Sequence, residues 1–157
     1  MKRLLAAIIL AGTTAAVTGC FEHREAPRRL VTCTTLEDAL ARRGAVEELN
    51  LGGQPVGRLP PELAGMAKLE RLILRRSSVT GGFEVLAGLP SLRMLDLSGT
   101  GLDAIPSAVF RLPALEHLYF SDNAATNLPV DFAQIPRLTY LNLDRTPLDA
   151  LPEIGRA

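Results

Sequence analysis

Histidine and cysteine are scarce in this chain, with two of each, and tryptophan is absent. So few sulfur and imidazole groups leave no zinc-type spacing, and neither a phosphate-cradling glycine loop nor a calcium loop is present. No metal or other cofactor is therefore expected. Two cysteines, Cys20 and Cys33, cannot build a disulfide framework of the kind that staples small secreted domains. Charge of one sign is not in excess either: 17 Lys and Arg face 17 Asp and Glu. Nucleic-acid binding usually needs a basic face, so nucleic acid is not an expected partner. A run of about 20 apolar residues, the length that spans a bilayer, is also missing. The longest uncharged, mostly apolar stretch is Leu4 to Val17.

What the sequence does contain is a leucine pattern that returns every 23 residues. Val46-Glu47-Glu48-Leu49-Asn50-Leu51 recurs as Leu69-Glu70-Arg71-Leu72-Ile73-Leu74 and as Leu92-Arg93-Met94-Leu95-Asp96-Leu97. It continues as Leu115-Glu116-His117-Leu118-Tyr119-Phe120 and Leu138-Thr139-Tyr140-Leu141-Asn142-Leu143. Repeats thus start at 46, 69, 92, 115 and 138. A fixed period of this length with an L-x-x-L-x-L core predicts a stacked solenoid, in which each repeat is one short strand and a return segment. The first, fourth and sixth places of each strand should point inward. The return segment shows best in Ile105-Pro106-Ser107-Ala108-Val109-Phe110-Arg111-Leu112, where proline suits the first turn of a short helix. Burying one aliphatic side chain contributes about 1.5–3 kcal/mol. A single repeat cannot offset its own chain entropy, whereas several stacked together can.

Residues 34–44 read as one short helix covering the open edge of the first repeat. Thr34 or Thr35 can cap it, Glu37 and Asp38 suit its first turn, Arg42 and Arg43 its last, and Gly44 stops it. Leu36, Ala39 and Leu40 share a face. The pattern L-x-x-L-x-L-x-x-N-x-L-x-x-L-P resembles bacterial leucine-rich repeat proteins over about residues 35 to 152, most closely at Leu115 to Pro129 with Asn123 at the ninth place. The resemblance implies an α/β leucine-rich repeat solenoid: a short curved parallel sheet, a helical or irregular convex side and an N-terminal capping helix, over residues 34–157. It says little about function, because the scaffold hosts many unrelated partners. The ninth place, whose asparagines bond adjacent repeats in that family, reads Gln54, Ser77, Thr100, Asn123 and Thr146. Hydroxyls reach less far, so looser turns are expected. The Leu69 repeat carries Gly81-Gly82-Phe83 in place of L-P, which predicts a wider or irregular return segment. No C-terminal cap is evident, so Leu141, Leu143, Leu148 and Leu151 should border an open edge that frays, pairs with a partner or self-associates weakly.

The chain start suggests where the protein resides. Lys2 and Arg3 precede the apolar stretch as in a secretory signal, expected over residues 1–19. Val17-Thr18-Gly19-Cys20 resembles the bacterial lipobox, in which cleavage falls before the cysteine and lipid, including palmitate, is attached to it. A plain cleaved signal or an uncleaved start are the alternatives. The resemblance implies lipidation at Cys20 and a mature chain from that residue, with a membrane bound through lipid rather than through a spanning helix. Phe21 after the cysteine is compatible with sorting to an outer membrane. Residues 20–33 would form a charged tether, and Cys33 would be a small buried residue of the cap, with an intermolecular disulfide or, without lipidation, a Cys20–Cys33 bridge as the alternatives.

Side chains alternate on a strand, so the places between the leucines line the concave face. The third place reads Glu48, Arg71, Met94, His117 and Tyr140, the fifth Asn50, Ile73, Asp96, Tyr119 and Asn142, and the seventh includes Arg75. Both tyrosines of the chain fall on this surface, beside Ile73 and Met94, which are expected to be exposed. Tyr, Met and Arg are enriched at interface cores. The candidate partner-binding residues are Arg71, Ile73, Arg75, Met94, Asp96, His117, Tyr119, Tyr140 and Asn142, with a protein or peptide as the ligand. Any such surface must carry some residues, and β-formers suit strands regardless. Five strands spaced by about 4.8 Å, each about 20 Å long, give roughly 480 Å². A standard interface uses about 800 Å² per partner, so a short peptide or single loop fits better. His117, Asp96, Ser98 and Ser121 form a triad inventory, but on an open surface without a glycine elbow or oxyanion donors. The chain is expected not to be an enzyme and to have no further catalytic domain.

Overall fold

The computed structural model describes residues 7–9, 30–128 and 135–149. The lipobox residues 17–20, the tether residues 21–29 and Leu151 lie outside the described residues. The leucine period sets the architecture directly. The first, fourth and sixth places of all five repeats are buried in a single core, from Val46, Leu49 and Leu51 to Leu138, Leu141 and Leu143. Each repeat contributes one three-residue strand: β3 (Glu48–Asn50), β5 (Arg71–Ile73), β7 (Met94–Asp96), β8 (His117–Tyr119) and β9 (Tyr140–Asn142). β4 (Gly57–Arg58) and β6 (Val79–Gly81) fall between them in the chain. The repeat strands pair in parallel and in register, so that Glu48, Arg71, Met94, His117 and Tyr140 stand side by side. Regular strand is half the six residues assumed from the repeat. Inter-repeat bonds nonetheless run on at both ends, as in Glu70 N–H to the Glu47 carbonyl and Arg76 N–H to the Ser98 carbonyl.

The sheet begins earlier than residue 34. β2 (Thr32–Cys33) pairs in parallel with β3 and places Cys33 in the core at 3% exposure. The following helix α1 spans Leu36–Ala41, and the Thr35 hydroxyl oxygen accepts from the Asp38 N–H at 3.2 Å. Ala39 is fully buried, while Leu36 and Leu40 are partly buried against the core. At the opposite end β1 (Ala7–Ile9) pairs antiparallel with β9, with Ile8 opposite Leu141. The edge of the last repeat is therefore occupied by a strand, and Leu141 and Leu143 are buried rather than bordering open solvent. Leu148 is partly buried against the same core.

The return segments form 3₁₀ turns at Pro61–Gly65, Phe83–Gly88 and Ser107–Arg111. An α-helix is about 10 Å across, twice the strand spacing, and would splay successive repeats apart. The tighter 3₁₀ turn stacks with less curvature. The repeat lacking L-P is irregular, as expected, but not by widening. Its 3₁₀ turn is one residue longer than the other two, and β4 and β6 form a second small parallel sheet with a register shift. Gly82, at φ +83°, lies so close to Leu59 that a Cβ would sit 2.7 Å from the Leu59 nitrogen and closer still to its carbonyl oxygen.

A concave face divided between charge and aromatic rings

The strand register brings the third- and fifth-place candidates together on one face. Arg71 pairs with Glu48 on the preceding strand, Nη1 to Oε2 at 3.2 Å, and Arg93 pairs with Glu116 on the following repeat at the same distance. Towards the last repeats the charges give way to rings. The Tyr119 and Tyr140 ring centroids are 5.1 Å apart, tilted by 46°, and His117 lies 6.0 Å from Tyr140. Aromatic pairs prefer such tilted, offset geometry to a face-to-face sandwich. Between the two halves opens a recess of about 280 Å³, lined by Glu70, Arg71, Arg93, Met94, His117 and Tyr119. It is large enough for one bulky side chain of a partner and too open to exclude water.

Exposure differs from the expectation at two positions. Ile73 and Met94 are half-buried, and the one exposed large hydrophobic among the described residues is Val31, at 41%. Strands spaced by about 4.8 Å flank every side chain on both sides. Ile73 stands between Asn50 and Asp96, and Met94 between Arg71 and His117. Arg75 is exposed, at the rim where the strand has ended.

The fifth place has a second use that alternation alone does not show. The side-chain oxygens of Asn50, Asp96 and Asn142 accept from the backbone N–H groups of Gly52, Ser98 and Asp144, at 2.9–3.0 Å. These Asx turns bend the chain off the strand. Asp96 and Asn142 therefore hold the shape of the face as well as lining it, and one oxygen of Asp96 is engaged by the Ser98 N–H. Just beyond lies a position that sequence reasoning missed. The eighth residue of each repeat has positive φ: Gly53, Arg76, Gly99, Asp122 and Arg145, between 54° and 73°. Two glycines in five were the available signal. Asp122 and Arg145 at this place also bond each other through two contacts, at 2.7 and 2.8 Å.

The ninth place holds adjacent repeats together as the chemistry of each residue allows. Asn123 donates to the Leu97 carbonyl of the preceding repeat at 2.8 Å and to Phe120 at 3.0 Å, and accepts from Leu102 N–H. Ser77 reaches only Leu74 in its own repeat, and Thr100 reaches Leu97 and the Asn123 side chain. Thr146 exceeds the expectation for a hydroxyl, reaching Phe120 of the preceding repeat at 3.2 Å. Gln54 uses its length to reach the Thr34 carbonyl ahead of α1.

Parallel in-register strands, 3₁₀ returns and side-chain ladders at fixed places define a leucine-rich repeat solenoid. Comparison with known proteins agrees. The family described as Leucine rich repeat matches residues 100–148. Among solved structures the chain is similar to a leucine-rich repeat protein of Leptospira interrogans, at 29% identity and a TM-score of 0.73. That alignment covers 77% of this chain and 31% of the other, so the chain spans about a third of that protein's length. No curated protein matches.

Proposed function

We propose that the protein is a lipid-anchored envelope module that holds a protein or peptide on its concave face. The observation that carries the binding half is the aromatic group His117, Tyr119 and Tyr140 standing beside a side-chain-sized recess on a half-buried sheet. Leucine-rich repeat folds generally serve as protein-binding modules, and this face has the residue types enriched at interface centres. Catalysis is not proposed, because the recess is open and Asp96 is committed to the Ser98 turn. The anchoring half rests on the Val17 to Cys20 motif, with lipid on Cys20 fixing the chain to an outer membrane. Replacing Met94, Tyr119 and Tyr140 together by Ser should leave folding intact, as judged by circular dichroism, and abolish partner capture in a pull-down. Unchanged capture would remove the concave face from the account.

One observation favours a second reading, self-association. β9 accepts an antiparallel strand on its outer edge, at Ala7–Ile9. Removal of residues 1–19 on export would free that edge for another copy of the chain. Light scattering on the processed chain separates the two readings: a monomer at every concentration rejects self-association.

A further inference from the structure

The chain as a whole is electrically balanced, but its concave side is not. Its second, third, fifth and seventh places carry carboxylates at Glu47, Glu48, Glu70, Asp96, Glu116 and Asp144. Against these six stand three guanidinium groups, Arg71, Arg75 and Arg93, a formal net of −3 with histidine neutral. Two of the three are already matched: Arg71 to Glu48 and Arg93 to Glu116. Asp144 is also met by Arg145 at the eighth place, 3.8 Å away, and the remaining positive charge lies off the strands, for example at the exposed Arg42, Arg43, Lys68, Arg111 and Arg137. Within this negative field the tilted Tyr119 and Tyr140 rings sit half-exposed, and Asp96 stands beside Tyr119 on the neighbouring strand. Ring faces attract cations, most strongly where water is partly displaced. A carboxylate next to the rings adds to that attraction, and a surface charged with one sign steers the opposite sign towards it.

Resting on the concave-face reading above, we propose that the partner presents an extended basic segment. A lysine or arginine of that segment seats over the Tyr119–Tyr140 rings beside Asp96, and a neighbouring side chain enters the recess floored by Met94. The short sheet suits an extended strand-like segment better than a folded domain, since regular strand covers only three residues per repeat.

The test uses the full chain in detergent and fluorescent octapeptides alternating threonine with lysine, glutamine or glutamate, read by anisotropy. The lysine peptide should bind at least about tenfold more tightly than the glutamate peptide at about 50 mM salt, with the gap shrinking at about 500 mM. Asp96→Asn keeps the turn acceptor, as Asn50 and Asn142 do at the equivalent place, and removes only the charge. It should weaken the lysine peptide about threefold, whereas Asp103→Asn, at an exposed turn away from the sheet, should not. Equal or tighter binding of the glutamine or glutamate peptide, no measurable binding of any of the three, or indifference to Asp96 would overturn the proposal. If the triple Ser variant still loses its partner in that case, the concave-face reading survives and only the charge class falls. If that variant keeps its partner, the underlying reading falls too.

Discussion

Among the described glycines, Gly82 combines a positive φ with the closest backbone approach. Its φ of +83° lies in the left-handed region that side chains with a Cβ disfavour, and the Leu59 backbone fills the space that a Cβ would take. Both effects act against Gly82→Ala, which should destabilise the fold by about 2–4 kcal/mol. Gly99 shares the positive φ, but its nearest neighbour is the flexible Cγ of Arg76 at 3.1 Å. Gly99→Ala should therefore cost only about 1–2 kcal/mol. Urea unfolding of the two variants checks the order, and the reverse order would contradict the packing at Leu59. Asp122 and Arg145 occupy the same strained place without glycine. Asparagine and aspartate tolerate that region best, and Arg145 gains two bonds to Asp122 there.

Between repeats, the ninth place decides how firmly one element is tied to the next. Asn123 bridges two repeats through buried backbone groups, while Ser77 closes only its own turn. Asn123→Ala takes the acceptor from the Leu102 N–H and leaves the Leu97 and Phe120 carbonyls only their Thr100 and Thr146 donors, and should cost about 2–3 kcal/mol, against about 1 kcal/mol for Ser77→Ala. Thermal unfolding of both variants measures the difference, and equal losses would show that the bridge contributes nothing. The repeat starts, the inward places and the shared face of His117, Tyr119 and Tyr140 were all legible from the 23-residue period. Period 23 repeats the same environment, so one strand assignment fixes the others. What the period could not show was what departs from it. The β4–β6 sheet joins Gly57–Arg58 of one repeat to Val79–Gly81 of the next, and the longer turn at Phe83–Gly88 follows the glycine pair Gly81-Gly82. The strand across β9 comes from far outside the repeats, at Ala7–Ile9. The turn bonds of Asn50, Asp96 and Asn142 were hidden because alternation assigns a face to a side chain but not its local hydrogen-bond partners.

At the scale of the whole molecule, a curved sheet presents one continuous face, with charge at one end and rings at the other. Anchoring by lipid would hold that face near a membrane without any spanning helix; among the described residues no helix is long and apolar enough to cross one. Cys20→Ser should therefore shift the protein from the membrane fraction to the soluble fraction, as followed by immunoblot. Retention in the membrane fraction would contradict the anchor. Capture of a partner by the concave face is the central claim, and site-specific photo-crosslinking in intact cells tests it most directly. A photoreactive residue at Tyr119 should yield a discrete adduct that disappears when Met94 and Tyr140 are changed to Ser. The same residue at Glu62, exposed on the 3₁₀ side, should yield none. Adducts of equal strength from both faces, or from Glu62 alone, would contradict the account.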